Sequence, residues 1–217
     1  MKGEAQTFLD RLLSISSPSI EAVLLHSLPS GMDRALGARG RELTDLLRRR
    51  NGFYAFEGAL HVFPAHANSG SVELVRWNES QGWRRSYGAA IAECVFFAQD
   101  IFAHQFCIDA DAVWSFDPES GTKQRLGDSV DDWARAVLED YNVLTGYPIA
   151  HQWQSIHGAL PVGARLAPKT PFILGGEFSV DNLFALDAAK CMEYLAEIYN
   201  QTKHLPSGSV VRLTTEP

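Results

Sequence analysis

A histidine pair, an Asp-x-Asp, three cysteines and a diglycine are the residues whose chemistry could build a site. His61 and His66 lie five apart and could share a metal with a distant carboxylate. Pro64 stands between them and blocks a helical i, i+4 pair, and no third ligand is spaced to join them. Surface or hydrogen-bonded histidines are therefore expected. Asp109 and Asp111 flank one residue, and such a pair can hold a hard cation or divide acid and base roles. At a strand end, aspartate more often accepts local backbone N–H groups, so a turn is expected. Gly175-Gly176 reads as a hairpin or bulge, because no helix start follows directly to receive a phosphate. Cys94, Cys107 and Cys191 are odd in number, far apart and set among apolar neighbours. They read as buried, reduced thiols, neither a disulfide framework nor a zinc ribbon. The sequence has no Gly-x-Ser-x-Gly elbow, phosphate loop, Gly-x-Gly-x-x-Gly turn, His-Glu-x-x-His or Cys-x-x-Cys. No catalytic residue, metal set or cofactor motif is expected.

Charge is more informative. The 217-residue chain carries 19 basic against 26 acidic side chains, a net charge of -7. Such an acidic chain is a poor direct binder of nucleic acid, which needs a cationic surface. Residues 93–140 hold eleven acids and only three bases, so this window supplies the whole imbalance. Some of it is helix-surface pairing, as with Asp131, Arg135 and Glu139 at successive intervals of four. The rest reads either as a solvated face or as a docking surface for a basic protein partner. Asp128, Asp131, Asp132, Glu139 and Asp140 are the candidate partner-binding residues. The five tryptophans could mark a platform, but Trp133 and Trp114 fall on apolar faces and read as core; Trp77, Trp83 and Trp153 lie in polar segments.

The elements that must position these residues follow from periodicity. Helical spacing covers 5–15, a short second segment with Ile20, Val23, Leu24 and Leu28, and Asp33 to Arg50, stopped by Asn51-Gly52. Short extended pieces follow at 53–56 and 59–63. Residues 94–99, 105–109 and 112–117 read as three strands of an antiparallel meander, closed by a turn at Pro118–Gly121. Val130, Trp133, Ala134, Val137, Leu138 and Tyr141 define a helix, with Ser129 and Asp132 as a capping box. A short helix around Ala150–Ile156, strands at Pro171–Leu174 and Asn182–Leu186, a helix from Ala188 to Lys203 and a last strand at Val210–Leu213 complete the reading. A single α+β domain over 1–217 is expected, with 1–35 a helical extension and 36–214 the core. No apolar run reaches 18 residues and the start lacks an apolar signal core, so a soluble cytoplasmic protein is expected.

Three stretches resemble a known family: Asn51-Gly52-Phe53-Tyr54-Ala55-Phe56-Glu57-Gly58-Ala59-Leu60-His61-Val62-Phe63-Pro64; Phe96-Phe97-Ala98-Gln99-Asp100-Ile101-Phe102 leading to Gln105-Phe106; and Pro171-Phe172-Ile173-Leu174-Gly175-Gly176-Glu177-Phe178 leading to Asn182-Leu183. Between the last two lie Leu144-Thr145-Gly146-Tyr147-Pro148, Trp153 and Leu160-Pro161. This order resembles the SUKH superfamily, which includes bacterial toxin-immunity proteins and the fungal cell-wall assembly regulator. The resemblance covers about residues 51–214. It implies one α+β domain with a mixed, mostly antiparallel central sheet and helices packed around it. It also implies a non-enzymatic binding protein, most often an immunity protein that neutralises a basic, often nuclease, toxin by stoichiometric binding. A regulatory or scaffolding module without a toxin partner is the alternative, and an unrecognised hydrolase or metal enzyme a third.

Overall fold

Six short strands form one meander in which every neighbouring pair is antiparallel: β1 (Phe53–Ala55), β2 (Leu60–Val62), β3 (Val95–Gln99), β4 (Gln105–Ile108), β5 (Val113–Asp117) and β6 (Thr122–Gly127). The computed structural model describes residues 6–21, 28, 32, 36–66, 72–206 and 208–212. The sheet was expected to be mixed and mostly antiparallel; among the described residues all of its pairs run antiparallel. β7 (Ala164–Pro168) and β8 (Leu183–Asp187) pair separately as a two-stranded antiparallel sheet.

Both faces of the meander are covered, which explains why β3 and β4 lack polar alternation. On one face pack α1 (Phe8–Ser14), α2 (Ala38–Arg49) and α4 (Val130–Glu139), and Leu12, Leu43, Leu46, Phe53, Phe97, Phe106 and Trp133 share one apolar cluster there. On the other, Phe96, Cys107 and Phe116 meet Trp77, Trp83, Met192 and Leu195, the last two from α7 (Ala188–Thr202). α3 is the single turn Leu74–Trp77. α5 (Tyr141–Leu144) and α6 (Tyr147–His157) close one end of the sheet over Ile101, Phe102 and Leu166.

Most expected elements form, with informative differences. α2 runs from Ala38 to Arg49, while the expected start at Asp33 lies outside the described residues. The segment from Ile20 to Leu28 lies largely outside the described residues. β6 was not expected, because Thr122, Lys123, Gln124 and Arg125 are exposed and carry no apolar alternation; charged side chains suit an edge strand. α6 starts earlier than expected because Pro148 fits a first helical turn. The expected strand at Pro171–Leu174 is instead a 3-10 turn, Phe172–Leu174, and Val210–Arg212 forms no strand, with Val210 fully exposed. Trp133 is core as expected, and Trp77, Trp83 and Trp153 are buried too, whereas Trp114 is only partly buried.

Candidate functional site

The loop between β3 and β4 is wrapped around one carboxylate. Asp100 Oδ1 accepts the backbone N–H groups of Phe102 and His104, each at 2.8 Å, and Oδ2 meets His104 Nδ1 at 2.9 Å. This allows Ala103 to hold a left-handed φ of 65°, a conformation that costs a non-glycine residue about 1–2 kcal/mol. Gln105 Nε2 donates to the Ala103 carbonyl at 2.7 Å and completes the loop. The far nitrogen of His104, Nε2, lies 3.7 Å from Asp117 Oδ1 at the end of β5. Burial works against a charged ring here, but Asp100, Asp117 and Glu119 outweigh it and lift His104 to about 9. At neutral pH the ring is an imidazolium between two carboxylates.

Above it opens a cleft of about 440 Å³, walled by Phe102, Phe106, Phe116, Val143, Leu144, Phe172, Ile173 and Phe178. Three of these leave much of their apolar surface in solvent: Val143 is 70%, Phe178 57% and Ile173 46% exposed. The last two belong to the excursion between β7 and β8. Glu119, buried in the turn after β5, accepts the N–H groups of Phe172 (3.1 Å) and Ile173 (2.7 Å). Burial outweighs those bonds and pushes the Glu119 carboxyl up. Asn182 ties the base of the excursion, accepting from Thr170 N–H and donating to the Thr170 and Glu177 carbonyls. The Phe172 and Phe178 rings stack at 3.9 Å across it. Gly176 is needed there, since a Cβ would sit 1.9 Å from the Thr170 carbonyl oxygen. The diglycine therefore serves the long packed connection of the β7–β8 pair and not a tight turn between strands at 171–174 and 182–186. On the opposite wall, Phe56 stacks on Tyr141 at 5.1 Å and steadies α5.

The five acidic candidates fall at the two ends of α4. At its start, Asp131 Oδ1 accepts the Leu9 N–H at 2.8 Å and so anchors α1. Asp132 accepts from the Ser129 hydroxyl and the Asp128 N–H and pairs with Arg135. These bonds, the Ser129 one foremost, hold the Asp132 carboxyl below its ordinary value. Asp128 pairs with Arg125. At the other end Glu139 and Asp140 are exposed. A ten-residue helix separates the groups by about 15 Å. Asp140 stands at the N-cap position of α5, without a side-chain capping bond, about one turn before the cleft residues Val143 and Leu144.

His61 is fully buried beside Gln99, stacked on Tyr54 at 4.3 Å, and burial keeps it neutral; His66 is exposed. Asp109 accepts the N–H groups of Asp111 and Ala112, which is turn chemistry. All three cysteines are free and buried. Sequence reasoning missed His104, Asp100, Asp117 and Glu119 as one group. The signal for them was slight: carboxylates beside strand ends, with an aromatic run on either side.

No family model and no curated protein matches the chain. Among solved structures, that of Atu4351 from Agrobacterium tumefaciens is similar with a TM-score of 0.57 and 12% identity, covering 85% of this chain and 86% of that one. At that identity the likeness concerns the fold: an α+β domain built on an antiparallel sheet. No helix among the described residues is long and apolar enough to cross a membrane.

Proposed function

We propose that this protein is a non-enzymatic binding module that neutralises a basic toxin domain by seating it, one to one, on the His104 cleft. The observation that carries this reading is the cleft itself: Val143, Ile173 and Phe178 hold apolar surface in water on a frame fixed by buried hydrogen bonds. Preorganised apolar anchors of this kind suit a protein partner, because little ordering is left to the moment of binding. Asp117 lines the cleft, exposed Glu177 adjoins the lining residue Phe178, and exposed Glu139 and Asp140 precede Val143 by about one helical turn. A partner side chain that is apolar along its stem and cationic at its tip, arginine above all, fits this combination. The resemblance to immunity proteins agrees with a basic partner.

His104 is not poised as a general base: that role needs a ring free to take a proton near neutral pH, whereas this one is held protonated beside Asp100. Ser115, also in the cleft, has its hydroxyl turned 3.5 Å from the Gln124 carbonyl.

The test is co-expression with basic nuclease-toxin domains from the same genome. Wild type restores growth against one of them, and Ile173→Asp with Phe178→Asp does not. Rescue by the cleft variant, or capture of a housekeeping partner with no effect on any toxin, defeats the proposal.

A further inference from the structure

The opposite end of the β3–β4 pair carries a second cavity, of about 540 Å³, into which Cys94, Asp109, Asp111, Glu93 and Lys123 project. Lys123 Nζ lies 3.5 Å from Cys94 Sγ and 3.6 Å from Asp109 Oδ2. The register pairs Phe96 with Cys107. Cys94, two residues before Phe96, therefore shares a sheet face with Cys107 as its diagonal neighbour. The neighbouring Cys107 thiol and the Lys123 ammonium together outweigh burial and bring Cys94 down to about 7, while burial pushes Cys107 up. Cys191, fully buried on α7, is raised by burial, which outweighs the opposing pull of the Arg165 guanidinium. Reactivity of a cysteine follows its thiolate fraction and its access, and Cys94 alone of the three lines a described cavity.

We propose that Cys94 is a modification site, a nucleophilic thiolate oxidised by hydroperoxides, with Cys107 as the resolving thiol. The Cys94 sulfur attacks the peroxide: an S–O bond forms, the O–O bond breaks, and the leaving hydroxide takes a proton to become water. Cys94 is then a sulfenic acid. The Cys107 sulfur attacks it next, forming S–S and breaking S–O, and the Cys107 proton leaves with the oxygen as a second water. Two thiols are oxidised to one disulfide and one hydrogen peroxide is reduced to two waters. Lys123 stabilises the attacking thiolate and stands beside the departing hydroxide.

The experiment is peroxide titration of the full chain near neutral pH, read by intact mass and peptide mapping. Wild type loses two hydrogen masses, and its Cys94 and Cys107 peptides are joined while Cys191 stays reduced. Cys107→Ser retains one added oxygen on Cys94, which dimedone traps. Lys123→Met slows the reaction about tenfold, the consequence of losing the cation beside the thiolate. Oxidation of Cys191 as fast as Cys94, or a loss of two hydrogen masses in Cys94→Ser, overturns the proposal. Should Cys107→Ser fail to fold, the wild-type map and the rate of Lys123→Met decide it. An unjoined wild type counts against it.

Discussion

The two ends of α4 carry the same kind of residue and use it differently. At the first, Asp131 and Asp132 are bound to backbone and hydroxyl groups: they hold α1 to the domain and start the helix. At the second, Glu139 and Asp140 stand exposed; Glu139 faces the unfavourable C-terminal dipole of α4, and Asp140 lies between that end and the start of α5 without a side-chain capping bond. Clustered negative charge in a sequence thus has two physical meanings. Where carboxylates meet N–H groups they are part of the fold. Where they stand exposed and make no bond to the fold, they are free to serve the partner proposed for the neighbouring cleft.

Substitutions can break this contrast, beginning with the residue on which the cleft depends most. Asp100→Ala leaves two backbone donors and an imidazolium without their acceptor, and thermal or urea unfolding should show a loss of about 3 kcal/mol. Asp132→Ala removes a capping partner and should cost about 1 kcal/mol by the same measurement. Asp131→Ala should cost about as much, and hydrogen exchange should show α1 loosened while α7 is unchanged.

The pH dependence sharpens the contrast on the cleft side. His104 has its folded value raised to about 9, above the roughly 6.5 of an unfolded histidine. Its contribution is therefore complete below about 6.5 and is lost as pH rises through 9. Wild type should lose more stability across that interval than His104→Gln, as followed by Tm at each pH. The smallest effect belongs to Glu139→Gln with Asp140→Asn. Removing the Glu139 charge from the C-terminal end of α4 should stabilise by about 0.3 kcal/mol, and Asp140→Asn should leave Tm unchanged because Asn serves equally at the start of α5, while the pair weakens the partner complex.

Periodicity made much of this fold legible. The repeat from Val130 to Tyr141 located α4, and the Ser129–Asp132 pair located its cap, because local hydrogen bonds leave local signatures. The runs at 94–117 located the central strands. What stayed hidden rested on distant partners. Phe172–Leu174 looks like a strand in isolation, and its turn is dictated by Glu119, more than fifty residues earlier. β6 is held by pairing with β5 and not by any apolar pattern of its own. The cleft was hidden for the same reason. His104 and Asp117 come from different strand ends, Val143 from a helical turn and Phe178 from the β7–β8 excursion, so no spacing along the chain announces them.

If the cleft, and not the start of α4, receives the partner, calorimetric titration of the rescuing toxin domain with three forms of this protein should separate them. Wild type should bind one to one, Asp128→Lys with the same Kd, and Ile173→Asp with Phe178→Asp about a hundredfold more weakly, as expected for anchor residues. Unchanged affinity in the cleft variant, with binding lost in Asp128→Lys, would contradict that placement.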